Sequence, residues 1–171
     1  MIDNPEFLDT NYLSRKIIDR KMELKELENF VLRDQGSNLH LFGPRGSGKT
    51  YLSRVELDAS PSDLNTCYIS CLRHKTRYQV LSEVIYQLTG KKPKTGYHIS
   101  QIQEKAKEAF SKEESILVVL DEVDFCLMND GNDLLHFLSW LNQDVDILAI
   151  SANYPIFNEE VDGRKIKNTM T

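Results

Sequence analysis

An eight-residue run, Gly43-Pro44-Arg45-Gly46-Ser47-Gly48-Lys49-Thr50, constrains this chain more than any other feature. It fills every fixed position of the pattern G-x-x-x-x-G-K-[ST]. Before it, Leu39-His40-Leu41-Phe42 reads as a strand; after it, Leu52, Val55 and Ala59 recur at the spacing of one helix face. A strand that breaks into glycines and restarts as a helix aims backbone N–H groups at one point, and glycine lets an anion come close there. Gly43 to Thr50 is therefore the expected cradle for a polyphosphate. In it Lys49 supplies a point charge to the β- and γ-phosphates, and the Thr50 hydroxyl a ligand to Mg²⁺. Read as a turn that binds nothing, the run would leave its correct flanks unexplained.

The rest of the chain alternates. A helix is expected from Arg20 to about Arg33, with Leu24, Leu27 and Val31 inward and Gly36 as its stop. Thr66 to Ser70 reads as a second strand. Thr76 and Gln79 form a capping box before the stripe Leu81, Val84, Ile85, Leu88; Ser100 and Gln103 form another before Ile102, Ala106, Ala109 and Phe110. Ile116 to Leu120 is continuously apolar, as in a strand covered on both faces. Asn132 to Leu141 is a short helix, and Ile147 to Ile150 a fourth buried strand. The first nineteen residues read as irregular. Strands alternating with helices predict an α/β sandwich around a parallel sheet.

Asp121-Glu122-Val123-Asp124 follows the third strand directly. Ligands of parallel sheets sit beyond the carboxyl ends of the strands. Asp121 is placed there to hold Mg²⁺, usually through a water, and Glu122 to polarise an attacking water as general base. An apolar strand followed by two acids is a weak signal by itself; beside the glycine loop it supplies the other half of a magnesium-nucleotide site. Asn153, at the end of the fourth strand, would orient water or touch the γ-phosphate if that strand neighbours the third, although an Asn after a strand is most often a turn residue.

Composition narrows the classes further. A chain of 171 residues is about one domain. Its net charge of −5 argues against broad coating of nucleic acid while leaving local basic patches open. No apolar run reaches membrane-spanning length. Cys67, Cys71 and Cys126 are odd in number and lack paired ligand spacing, so buried, reduced thiols fit better than zinc or a disulfide.

Taken together, these segments resemble the AAA+ ATPases of replication initiation, and more narrowly the archaeal-type origin recognition and cell-division-control initiators. The resemblance spans roughly residues 10–165. It rests on Asp19-Arg20-Lys21-Met22-Glu23-Leu24, the phosphate loop, Tyr68-Ile69-Ser70-Cys71, Pro93-Lys94-Thr95-Gly96, Leu120-Asp121-Glu122-Val123-Asp124 and Ile150-Ser151-Ala152-Asn153. It implies an ATP/ADP and Mg²⁺ site in which Tyr12, Leu13 and Arg20 help enclose the adenine and Asn153 is the first nucleotide sensor. It also implies partners: origin DNA, mainly through further C-terminal domains, and the replicative helicase or other initiator subunits. A cytoplasmic, nucleoid-associated location and no membrane go with it. The loop carrying Lys91, Lys92 and Lys94 corresponds to an insertion that can contact DNA; a solvated loop is the equal alternative.

Two departures are visible. Ser14 stands where the family usually has proline. The family's sheet order is 5-1-4-3-2, and only four strands are legible before Thr171. The expected arrangement is one core over 1–171: an adenine-side segment at 1–19, an α/β core at 20–160 and a tail at 161–171. The fifth strand, lid and winged helix are expected to be missing, with Arg164 in a loose tail rather than serving as an arginine finger. An exposed edge of the first strand would follow, unless the tail or a partner covers it. The leading expectation is an ATP-controlled initiator switch whose isolated chain hydrolyses ATP weakly or not at all. The alternative is a non-hydrolysing ATP-binding or interaction module; a small phosphate-loop kinase ranks below both.

Overall fold

The computed structural model describes residues 20–32, 38–61, 64–141 and 145–152, and the backbone of 167–170. Its elements run α1 (Lys21–Val31), β1 (Asn38–Phe42), α2 (Lys49–Asp58), β2 (Asn65–Ser70), α3 (Arg77–Thr89), α4 (Ile99–Phe110), β3 (Ile116–Asp121), α5 (Asp124–Asp130), α6 (Asp133–Ser139), β4 (Val145–Ser151) and β5 (Lys167–Met170). The five strands form one parallel sheet in the order β2-β3-β4-β1-β5.

Alternation along each strand sorts side chains to two cores, since residues i and i+2 share a face. Ile116, Val118 and Leu120 pack with Cys67, Ile69, Ile147 and Ala149 under α3, α4, α5 and α6. Leu117 and Val119 turn the other way, joining Leu39, Leu41, Leu148 and Ile150 beneath α1 and α2 through Leu27, Phe30 and Leu52. β3 is buried along its whole length, as its unbroken apolar run requires. All three cysteines are free and buried in the first core.

Caps set the helix starts. The Thr76 side chain accepts from the Gln79 N–H, and the Gln79 side chain accepts from the Thr76 N–H, the reciprocal pair expected for α3. α4 differs from expectation. Gln101, not Gln103, reaches back to a backbone N–H, that of His98 at 2.8 Å. The helix begins earlier because Ile99 is already drawn against the core. α5 was not anticipated at all.

The expectation of a sheet truncated before its fifth strand is overturned. β5 lies parallel to β1, with Leu41 opposite Thr169 and Phe42 opposite Met170. The tail itself covers the outer edge of the strand that feeds the phosphate loop. A four-residue polar strand paired on one side carries neither of the cues, apolar run or clean alternation, by which the other strands are recognised.

Candidate nucleotide site

β1 ends at Phe42, and the chain turns through Gly46 and Gly48 at φ of +81° and +86° before α2 begins. Side chains rarely adopt that left-handed conformation, which is why glycines occupy the bend. Lys49 is folded back over the loop. Its Nζ donates to the carbonyls of Gly43 at 2.7 Å and Pro44 at 2.8 Å, and to Ser47 Oγ at 3.3 Å. Burial lowers the Lys49 pKa, while Asp121 and Asp124 oppose that shift and Arg20 adds to it.

Asp121 closes β3 on the α2 face, two residues beyond Val119. The Thr50 hydroxyl donates to it, lying 3.0 Å from Oδ2 and 3.2 Å from Oδ1. The loop and the acidic strand end, 71 positions apart in the sequence, therefore meet. Arg45, Gly46, Lys49, Thr50, Asp121 and Glu122 all line a cavity of about 210 Å³ that also reaches Ala152.

Glu122 has φ +57°, the one non-glycine residue in that region among those described. The turn lets the Val123 N–H donate to the Ile150 carbonyl at 2.9 Å, so the chain leaving β3 is pinned to the end of β4. Burial raises the Glu122 pKa, Asp121 and Asp124 raise it further, and Arg45 pulls it down.

Several contacts escaped the sequence reading. Arg20, assigned beside the adenine, donates to the Ser47 carbonyl at 3.1 Å and to Glu23 at 3.2 Å, so the residue that precedes α1 ties that helix to the phosphate loop. Asp124 was given no role; its Oδ2 accepts from the Ala152 N–H at 2.8 Å, at the residue preceding Asn153. The buried His40 Nε2 lies 2.7 Å from Ser151 Oγ, joining β1 to β4 on the other face. Tyr68 hydrogen-bonds Asp121. Periodicity could have placed Tyr68 on the Asp121 face, but only the β2–β3 register brings them together. Tyr12, Leu13, Asn153 and Arg164 lie outside the described residues.

Away from this site, Lys91, Lys92 and Lys94 line a groove of about 520 Å³ with Lys105 of α4 and Lys112, two residues past its end. Two of these lysines sit over aromatic rings, Lys92 Nζ 5.1 Å from the Tyr86 centroid and Lys105 Nζ 5.3 Å from that of Tyr97. No helix among the described residues is long and apolar enough to cross a membrane.

Comparison with known proteins bears on the same elements. A family model described as an AAA domain matches residues 32–152. An ORC1-type DNA replication protein 1 of Methanothermobacter thermautotrophicus is 28% identical over 175 residues, covering 93% of this chain and 45% of the relative. One from Methanosarcina mazei is 29% identical over 177 residues, covering 94% and 42%. Among solved structures, the Aeropyrum pernix ORC1 protein in complex with DNA superposes with a TM-score of 0.81 at 27% identity, covering 92% of this chain and 44% of that one. Cdc6p from Pyrobaculum aerophilum gives a TM-score of 0.79 at 16% identity, covering 96% and 48%, a likeness of fold. The chain thus spans less than half the length of these relatives. The matched residues contain the phosphate loop and β3 with its terminal acids, and on that match the chain belongs to the AAA domain family.

Proposed function

We propose that this chain is the ATP-binding core of a DNA replication initiator, a switch set by ATP and reset by slow hydrolysis. The observation that carries the reading is the Thr50–Asp121 contact, which joins the phosphate loop to the acidic end of β3 in one cavity with Lys49. A magnesium-phosphate site needs only one or two protein oxygens, because phosphates and water supply the rest. The Thr50 hydroxyl and the Asp121 carboxylate are a donor set of that kind, and they would hold the ion. Bound there, it would neutralise phosphate charge.

The chain's own residues divide the remaining work. The Gly43–Thr50 backbone would cradle the phosphates. Lys49 would exchange its carbonyl partners for β- and γ-phosphate oxygens. Glu122 would take a proton from the attacking water, with Asn153 orienting it. Tyr12, Leu13 and Arg20 would close the adenine side, Arg20 through its hold on the loop. The initiator role rests on the ORC1-type relatives, and DNA as partner on the DNA-bound A. pernix ORC1 neighbour. The lysine groove is the proposed DNA-facing element of this core, with a replicative helicase or other initiator subunits as further partners. Such a role puts the protein with chromosomal DNA inside the cell.

Calorimetric titration with ATP and Mg²⁺ tests the reading. Lys49→Ala removes a charge-assisted contact worth about 1.5–3 kcal/mol. ATP affinity is expected to fall by about ten- to a hundredfold. Equal affinity in parent and variant would remove Lys49 from the site, and absence of binding to the parent would end the proposal.

A further inference from the structure

β2 sends one large polar side chain toward the acidic end of β3. Tyr68 is opposite Val119, and Asp121 lies two residues further along β3 on the same face. The ring packs against the core beneath α1 and α2, and the hydroxyl reaches Asp121 Oδ2 at 2.5 Å. Thr50 donates to the same carboxylate from α2. Arg54, one turn after Thr50, places its Cζ 5.1 Å from the Tyr68 ring centroid. Asp121 is therefore gripped from two elements, and the arm from β2 is itself held by the helix that starts at the phosphate loop.

We infer that Tyr68 is a positioning residue for the Mg²⁺-binding carboxylate of Asp121, a role that rests on the nucleotide-site reading above. An ionised carboxylate only accepts hydrogen bonds, so a fixed O–H donor sets which lone pairs remain for another partner. With Tyr68 and Thr50 both on Asp121, rotation about the carboxylate's bond to its own chain is restrained. A phenol keeps its proton at neutral pH, so the Tyr68 oxygen has an O–H to donate to the carboxylate. Partners that orient a ligating side chain typically contribute ten- to a hundredfold in metal affinity. Hydrogen-bonding α2, β2 and β3 to one carboxylate also makes the edge strand β2 a participant in a site otherwise built from the sheet's interior.

Tyr68→Phe keeps the ring and its seat beneath Arg54 while removing the hydroxyl. ATP affinity is measured by calorimetry at graded Mg²⁺ and in EDTA, for the parent, Tyr68→Phe, Asp121→Asn and the double variant. The Mg²⁺ concentration at half-maximal gain in ATP affinity is expected to rise about tenfold in Tyr68→Phe, with affinity in EDTA unchanged. In the Asp121→Asn background the same substitution is expected to have no further effect, since its route through the carboxylate is gone. Melting temperature is followed in parallel. A parent that binds ATP with Mg²⁺ dependence, beside a Tyr68→Phe variant with an unshifted Mg²⁺ midpoint, overturns this inference alone. So does an equal shift in both backgrounds, or a loss that is as large in EDTA as in Mg²⁺. A parent whose ATP binding ignores Mg²⁺ overturns the nucleotide-site reading, and this inference with it.

Discussion

The Thr50 hydroxyl stands 3.0 Å from Asp121 Oδ2, joining the first turn of α2 to the last residue of β3 across 71 positions of sequence. Alternation along β3 decides on which face Asp121 emerges, and the phosphate loop decides where Thr50 begins its helix. Asp121→Asn keeps the shape but gives up the charge. Its expected effect is a weaker Mg²⁺ dependence of ATP binding, with Mg²⁺-free binding little changed. Calorimetry with and without EDTA checks it; an unaltered Mg²⁺ dependence would separate Asp121 from the metal.

Glu122 is held at φ +57°. A side chain in that conformation costs roughly 1–2 kcal/mol, and glycine avoids most of that while giving back part through its freer unfolded chain. Glu122→Gly is expected to stabilise the fold by about 0.5–1 kcal/mol in urea denaturation, and Glu122→Gln to abolish any ATP turnover while ATP stays bound. The raised pKa adds a pH signature. A carboxyl with a folded pKa above its unfolded value favours folding while protonated and loses that contribution as pH rises through the folded pKa. Glu122→Gln should therefore flatten the fall of stability just above the ordinary carboxylate range.

What the sequence revealed and what it concealed divide on physical lines. The glycine loop, the buried run of β3 and the Thr76 capping box are local signals, each complete within a few residues. Asp121 could be paired with Thr50 because motif and strand end have known places in a parallel sheet. Tyr68 and Asp124 could not be assigned, because their roles are a hydrogen bond across β2–β3 register and one to the N–H of Ala152. Seven-residue α5 begins inside the acidic segment itself, too short to show a helical period. β5 is polar, and only its alignment along β1 identifies it. Arg20 was placed near the right site, but its contact with the Ser47 carbonyl depends on how α1 packs over the loop.

The cysteines offer a test of the first core. Burial pushes the Cys67 and Cys126 thiols up to about 12, and Cys71 upward as well, its neighbour Cys126 adding to the effect of burial. Thiolate is the reactive form, so all three are expected to resist alkylation at pH 8 in the native protein and to react fully in urea. Mass spectrometry counts the adducts. Because the folded pKa values are raised, stability is full below the unfolded thiol value of about 8.5 and declines as pH rises beyond it. Rapid native labelling of Cys67 would place it outside the core.

Thr76 tests the cap of α3. Its side chain accepts from the Gln79 N–H at 3.3 Å, and Gln79 Oε1 accepts from Lys75 N–H at 2.8 Å. Thr76→Ala is expected to cost about 1 kcal/mol in chemical denaturation without changing ATP affinity, since α3 lies away from the phosphate loop. Thr76→Ser should recover most of the loss.

The fifth strand gives the sharpest test of the fold, because β1 feeds the phosphate loop and β5 shields its outer edge. An unshielded edge is a template for pairing with another chain. Removing residues 166–171 is expected to lower the melting temperature by roughly 5–10 °C, taking about 0.5–1.5 kcal/mol per lost hydrogen bond and about 2–4 °C per kcal/mol. Light scattering on heating should rise as well. A gentler version leaves the chain at full length. Asn168 pairs with His40 and Thr169 with Leu41 in the β1–β5 ladder. Alternate N–H groups of an edge strand face its partner, and proline removes an N–H. Asn168→Pro and Thr169→Pro should therefore differ: one deletes a bond to β1 and destabilises, the other points its missing N–H outward and is tolerated. Two variants that melt together with the parent, and a truncated chain that does the same, would show that β1 is not held by β5 in solution.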